Sequence, residues 1–476
     1  MTTSLLRRGA AALALLALSA CTSLIPSYQR PAPPVASSWP DATTATPAVS
    51  PAAGAPATAV SELPWSDFLA DARIRALVEI AQRNNRDLRL AVLNVEQVRA
   101  QLGIQRADLL PTVGLGASAS RAPNSSGVMT SAYSVGFAVS SFELDLFGRV
   151  RSLNQAAVAR YLASEEGRRA AQVALIAAVA STELAVRADD ELLQVTQRAL
   201  LSREESLRLV RVRFDGGIAA EPELRGAESL LAAARASIAG LRRQRSLDQN
   251  ALVLLVGQPL PADLPDAAPL EQLAFAELPV GLPSEVLLKR PDIAQAEQQL
   301  LAANANIGAA RAAFFPRISL TGSFGTASNQ LSGLFDDLAW TFASQLIQPL
   351  FDAGRNESAL AAAKAGRAIA VAQYEKAIQV AFREVADALA GRATLGEQLV
   401  AQRAQAAAEE RRAALAEQLV RGGVASQLDL LDAERSRLAA RQAVVQLELA
   451  RLQNTVLLYR VLGGGAGQSP SQAMSK

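Results

Sequence analysis

Two stretches in the first half of the chain alternate strictly between apolar and small or polar residues. Val113, Leu115, Ala117 and Ala119 interleave with Thr112, Gly114, Gly116 and Ser118, and Tyr133, Val135, Phe137 and Val139 interleave with Ser134, Gly136, Ala138 and Ser140. A period of two predicts strands, here a hairpin joined by a polar loop at 122–131. In the second half Ile318 and Leu320 alternate with Ser319, Thr321 and Ser323, and Trp340 and Phe342 open a fourth strand after a loop at 326–336. A half-buried soluble sheet has the same period, so alternation alone does not make a membrane barrel, but small residues on the alternate face suit a lumen.

Elsewhere the period is helical. Residues 149–213 contain no proline, and at 1.5 Å per residue such a segment makes one helix of about 100 Å. The stretch 355–421 is equally proline-free and dense in Ala, Glu, Gln and Arg, the composition of long packed helices. Each is followed by a returning helix with heptad spacing: Leu224, Ala227, Leu231, Ala234, Ile238 and Leu241 in the first half, and Leu428, Leu431, Leu438, Val445, Leu449, Leu452 and Val456 in the second. Arg435 and Gln442 interrupt the second seam.

These two halves are a repeat. Asp87 and Asp292 lie 205 positions apart (292 − 87), and the same offset pairs Ala100 with Ala305, Gly103 with Gly308, Arg106 with Arg311 and Pro111 with Pro316. At offset 206, Gly148-Arg149 pairs with Gly354-Arg355, and the turn at Gly216-Gly217 pairs with Gly422-Gly423. The first repeat spans 63–270, with a strand hairpin at 112–145 and long helices at 149–256. The second spans 271–463, with a helix at 285–315, a hairpin at 317–350 and long helices at 355–462. A flexible tail is expected at 464–476.

The N-terminus adds an address. Arg7 and Arg8 precede an apolar run too short to span a bilayer, which predicts an export signal over 1–20. It ends Leu18-Ser19-Ala20-Cys21, similar to a bacterial lipobox, so Cys21 is the expected lipidation site. Thr22 stands where Asp would mark inner-membrane retention, which favours the outer membrane. Residues 21–62, rich in Pro, Ala, Ser and Thr, predict an extended tether.

Composition narrows the chemistry. With no histidine and one cysteine, most zinc sites, Cys/His nucleophile pairs and Ser/His/Asp triads are excluded. A net charge of +2 with 4% aromatic residues gives no nucleic-acid footprint. No GxxxxGK[ST] loop accompanies the helices, so the chain supplies no phosphate-driven energy. The expectation is therefore no enzyme and no cofactor beyond a covalent lipid.

The stretch Gly281-Leu282-Pro283-Ser284-Glu285-Val286-Leu287-Leu288-Lys289-Arg290-Pro291-Asp292-Ile293, followed by Ala302-Ala303-Asn304-Ala305-Asn306-Ile307-Gly308-Ala309-Ala310-Arg311-Ala312-Ala313-Phe314-Phe315-Pro316, resembles the outer-membrane efflux lipoproteins. These are the TolC-like exit ducts of resistance-nodulation-division pumps, here in their NodT subgroup, and the resemblance runs along nearly the whole chain. It implies a mainly α protein with a membrane β-barrel: an internally duplicated protomer giving four strands to a trimeric twelve-stranded barrel above a long α-helical periplasmic barrel. It also implies a homotrimer in the outer membrane of a Gram-negative bacterium, lipid-anchored, working passively with a periplasmic adaptor protein and an inner-membrane pump. The adaptor contact falls at the tips, on Gly216, Gly217, Ile218 and Ala219 and on Gly422, Gly423, Val424 and Ala425. The closed gate falls on Asp432 and Arg421, with Asp215 and Arg213 as first-repeat counterparts. Two alternatives stand beside small-molecule efflux: the duct of a type I protein-secretion system, and a non-conducting envelope-bridging lipoprotein.

Overall fold

The computed structural model describes residues 23–39, 60, 63–278 and 284–465. Cys21, the lipidation candidate, lies outside them, as do the signal at 1–20, most of the tail and Gly281 to Pro283 of the resemblance stretch. The helices are α1 (Trp65–Phe68), α2 (Ala72–Asn84), α3 (Arg86–Ala107), α4 (Arg149–Asp215), α5 (Glu221–Val256), α6 (Pro291–Ala312), α7 (Arg355–Arg421) and α8 (Gln427–Val461). The strands are β1 (Val113–Pro123), β2 (Met129–Glu143), β3 (Arg317–Ser328) and β4 (Leu338–Ile347). Both α4 and α7 are 67 residues long and unbroken, as their lack of proline requires.

The chain divides into two compact units that cut across the repeats rather than following them. One contains residues 92–167 and 292–377 with the N-terminal segment to Pro34, and the other 35–91, 168–291 and 378–476. Each repeat gives its strand hairpin and adjoining helix ends to the first unit and its tip to the second.

Within the first unit the strands form a single antiparallel sheet in the order β1-β2-β3-β4. Its register sets Leu115 opposite Phe137, Phe137 opposite Phe324 and Phe324 opposite Trp340. One face thus carries Val113, Val135, Val139, Phe342 and these four apolar side chains. The other carries Gly116, Ser134, Gly136, Ser323, Gly325 and Thr341, with Ser118 bonded to Ser134 at 2.8 Å and Ser323 to Thr341 at 2.7 Å. Gly136 and Gly325 face each other so closely that a Cβ on Gly136 would lie 2.6 Å from the Gly325 Cα. The strands run further than alternation predicts: the first loop shrinks to 124–128, where the Asn124 side chain accepts from the Ser126 and Val128 N–H groups. A bulge after Val139, with Ser141 at φ 58°, shifts the β2–β3 register before Glu143.

Three expectations need correction. The segment 23–34, expected as a free tether, is extended but docked along α6. Leu24 and Pro26 carbonyls accept from Arg311 (3.1 Å) and Asn304 (2.8 Å), and Tyr28 and Arg30 both donate to Glu297 at 3.0 and 2.7 Å. Ile25 fills the space beside Gly308, where an added Cβ would sit 2.5 Å from its side chain. The helix expected at 285–315 is a 3-10 turn at Ser284–Lys289 followed by α6 from Pro291, because proline disfavours α backbone at Arg290 and fits the first helical position. In the second heptad seam Leu428 is 64% exposed; Gln427 and Leu430 turn inward instead.

The second unit packs α5 on its predicted seam, with Leu224, Ala227, Leu231, Ala234 and Ile238 buried. A buried ion network pins the chain ahead of α2 to α4. Arg187, 3% exposed, donates to Asp71 at 2.8 Å and Glu183 at 2.9 Å, and Arg73 donates to Glu183 at 2.8 Å. Arg187 and the Ile74 N–H hold the Asp71 carboxyl below its ordinary range against the opposing effect of burial, which is the largest single influence on it.

Candidate functional site

Each tip is a helix stop of the Schellman type. After α4, Gly217 adopts φ +73°, its N–H bonds the Phe214 carbonyl at 2.9 Å, and the Ile218 N–H reaches back to the Arg213 carbonyl at 2.8 Å. After α7, Gly423 adopts φ +74°, with Gly423 bonded to Val420 at 3.1 Å and Val424 to Leu419 at 2.9 Å. Only glycine takes this left-handed position without strain, so the second glycine of each pair, Gly217 and Gly423, is fixed by backbone geometry. The residue after each stop is apolar and exposed: Ile218 is 73% exposed and Val424 78%. Ala219 is buried and Ala425 half-buried, so each tip presents one apolar side chain on a rigid turn.

The tips lie side by side within their unit. Val210, Leu224 and Ala227 of the first hairpin form a buried cluster with Leu431 of α8, and Gln427 donates to the Ser206 hydroxyl at 3.2 Å. A capping box opens α8: the Ser426 hydroxyl accepts from the Asp429 N–H while the Asp429 carboxylate accepts from Ser426.

The predicted gate charges do not converge within one chain. Asp432 accepts from Arg435 at 2.7 Å and lies 3.6 Å from Arg412, while Arg421 pairs with Glu417 one turn back on its own helix. Arg213 is half-buried and Asp215 exposed, and neither side chain has an ion-pair partner among the described residues. Arg412 and Glu417 are tip residues that the sequence reading missed. Their signal was i,i+4 spacing to Arg421 for Glu417, whereas the Arg412–Asp432 contact joins two helices and has no local signature. Beside the first tip, Glu228 accepts from Arg225 and Arg211, which hold its carboxyl below the usual range.

No group of three or more potential metal-ligating side chains occurs among the described residues. The arrangement instead offers a sheet with unlike faces in one unit and, in the other, two rigid turns with apolar caps and exposed charges.

A model of the family described as outer membrane efflux protein matches residues 77–258 and 282–464. The solvent efflux pump outer membrane protein SrpC of Pseudomonas putida is 44% identical over 462 residues, covering 95% of this chain and 97% of that protein. Outer membrane protein OprJ of Pseudomonas aeruginosa is 44% identical over 461 residues, covering 94% of each. Among solved structures, the open state of the Neisseria gonorrhoeae MtrE outer membrane channel matches with a TM-score of 0.85 at 42% identity, covering 94% of this chain and 99% of that one. CusC matches with a TM-score of 0.82 at 38% identity, covering 93% and 100%.

Proposed function

The chain belongs to the outer membrane efflux protein family, and from that premise we propose that it is the exit duct of a tripartite pump, passing small molecules from the periplasm to the exterior. The observation that carries the duct reading is the sheet. One face is apolar and the other is small and hydroxylated, and among the described residues β1 and β4 are both unpaired edges. In lipid each unsatisfied backbone group costs several kcal/mol, so four strands need further copies to close.

Repeat equivalence supports the same demand from the helices. Ala156 and Ala159 of α4 pack against Ala302 and Ala305 of α6 in a buried cluster. Their counterparts, Ala362 and Ala365 on α7 and Gln97 and Ala100 on α3, are all exposed. A second copy offering α3 to α7 would repeat the internal contact, and three copies close twelve strands. Cys21 carries the lipid and anchors the protomer in the outer membrane. At the tips Ile218 and Val424 meet the adaptor, and Asp432, Arg421, Asp215 and Arg213 act between protomers to hold the resting duct closed. Energy comes from the inner-membrane pump.

Single-channel recording of the purified protein in planar bilayers tests the duct. Discrete conductance steps are expected; a properly assembled, membrane-inserted protein without them would leave an envelope-bridging role.

A further inference from the structure

The hydroxylated face of the sheet is uncharged until its helix-side end, where Arg317 and Glu143 share it. Arg317 opens β3 on the same face as Ser319 and Ser323. Glu143 reaches that face only because of the bulge: Val139 pairs with Gly322 but Phe142 with Leu320. The one extra residue turns Phe142 to the apolar face and sets Glu143 opposite Ser319. Glu143 is fully used, since Oε1 accepts from Arg149 Nε at 2.8 Å and Oε2 from Arg149 Nη2 at 2.6 Å, a two-point grip. Arg317 Nε is left 3.7 Å from that same Oε2, with its side chain 55% exposed. The repeat leaves a second cation unmatched. Arg149 and Arg355 are counterparts, each the first residue of a 67-residue helix. Glu143 stands six residues before Arg149, but six residues before Arg355 stands Pro349, which has no carboxylate. The Arg355 side chain is exposed and has no ion-pair partner among the described residues. Nearby acids are committed to backbone N–H groups: Asp145 accepts from Arg151 at 2.8 Å, and Asp352 from Gly354 and Asn356 at 3.0 and 2.9 Å.

Arg317 and Arg355 line one cavity of about 330 Å³, walled on one side by Phe147 stacked on Phe315 with ring centres 4.7 Å apart. We propose that this cavity binds a dissolved organic anion, a small carboxylate or phosphate ester, through Arg317 and Arg355, with its apolar part against the two phenylalanines. Glu143 in the grip of Arg149 is the internal template: the first repeat fills its arginine with a carboxylate of its own, and the second leaves the equivalent arginine open. Guanidinium groups match carboxylate and phosphate geometry, and the volume suits a small molecule. The hydroxylated face lies opposite the row of Leu115, Phe137, Phe324 and Trp340, so the anion reaches Arg317 from the aqueous side rather than as a lipid headgroup. That such an anion is cargo passing the base of a barrel rests on the duct reading; the binding does not.

Fluorine NMR of 4-fluorobenzoate with the purified full-length protein in neutral detergent reads the site, with protein-free micelles as the blank and 4-fluorobenzyl alcohol as the uncharged counterpart. The benzoate signal should broaden saturably, the alcohol signal should not, and inorganic phosphate or added sodium chloride should reverse the effect. Arg317→Gln and Arg355→Gln should each weaken binding by about tenfold or more, as loss of a hydrogen bond to a charged group does. Arg121→Gln, on the opposite face of the sheet, should change nothing, and Glu143→Gln, which removes a negative charge beside Arg317, should tighten binding. Equal binding of the alcohol, or full affinity in both Arg317→Gln and Arg355→Gln, would overturn the proposal. So would retention of phosphatidylglycerol through these two arginines by a protein that ignores the benzoate, which would make the site a lipid one. In planar bilayers under a salt gradient, the reversal potential of the doubly substituted protein should move toward cation selectivity. An unmoved potential in a conducting protein that has lost benzoate binding would overturn the cargo role and leave the anion site standing.

Discussion

Asp432 has a side chain 47% exposed and two arginine neighbours, Arg435 and Arg412. Solvated pairs of this kind contribute about 0–1 kcal/mol, so their loss does not threaten the fold. Asp432→Ala should therefore assemble normally, shift thermal stability by less than about 1 kcal/mol, raise single-channel conductance and admit large antibiotics. Unchanged conductance in an assembled protein would move the gate to Asp215, Arg213 or the apolar caps. Mass spectrometry of the mature protein should find Cys21 at its N-terminus and modified by lipid; an unmodified start elsewhere would exclude the anchor. Gly136 offers a contrasting single-residue effect. A Cβ there meets the Gly325 backbone at 2.6 Å, whereas at Gly114 nothing lies within 4 Å. Gly136→Val should abolish the assembled species on gels, and Gly114→Val should spare it.

At the scale of the strand, Val135 and Ala138 stand on opposite faces of β2. If Val135 faces lipid, Val135→Arg costs roughly 2 to 4 kcal/mol near the bilayer midplane and should cut the yield of assembled protein. Ala138→Arg, facing the lumen, should mainly alter conductance; equal loss of assembly in both would mean that the register or the barrel itself is wrong. Strand identity was legible because alternation is a local signal. The bulge at Ser141 was not, since it depends on what β3 presents across the ladder. The α2–α3 break is similar: it turns on Asn85, whose side chain accepts from the Leu88 N–H and donates to the distant Leu255 carbonyl. The docked N-terminal segment was hidden by its own composition. A Pro-rich average reads as unstructured chain, and only Tyr28 and Arg30, meeting Glu297 from 269 and 267 residues away, show otherwise. Both Gly-Gly stops were readable because the positive φ of Gly217 and Gly423 needs glycine, while the Arg412–Asp432 contact joins two helices and leaves no trace in spacing.

For the whole molecule, the repeat makes the missing neighbour predictable. Ala100→Cys with Ala365→Cys, the counterparts of the packed Ala305 and Ala159, should cross-link between chains and give a ladder ending at the trimer on denaturing gels. Trimers that form without that cross-link would disprove the equivalence but not the oligomer. The docked segment has a consequence in time. Its partners Glu297, Asn304 and Arg311 all lie in the second repeat, so a segment synthesised early is among the last to find its place. Contacts of such sequence separation form slowly because a long loop must close first. If Cys21 is the lipidation site, the leading segment is open to the modifying enzymes until α6 emerges and is withdrawn from them once α6 folds. On that reading the order of synthesis sets the interval for modification, and a chain truncated before residue 297 should remain open to it indefinitely.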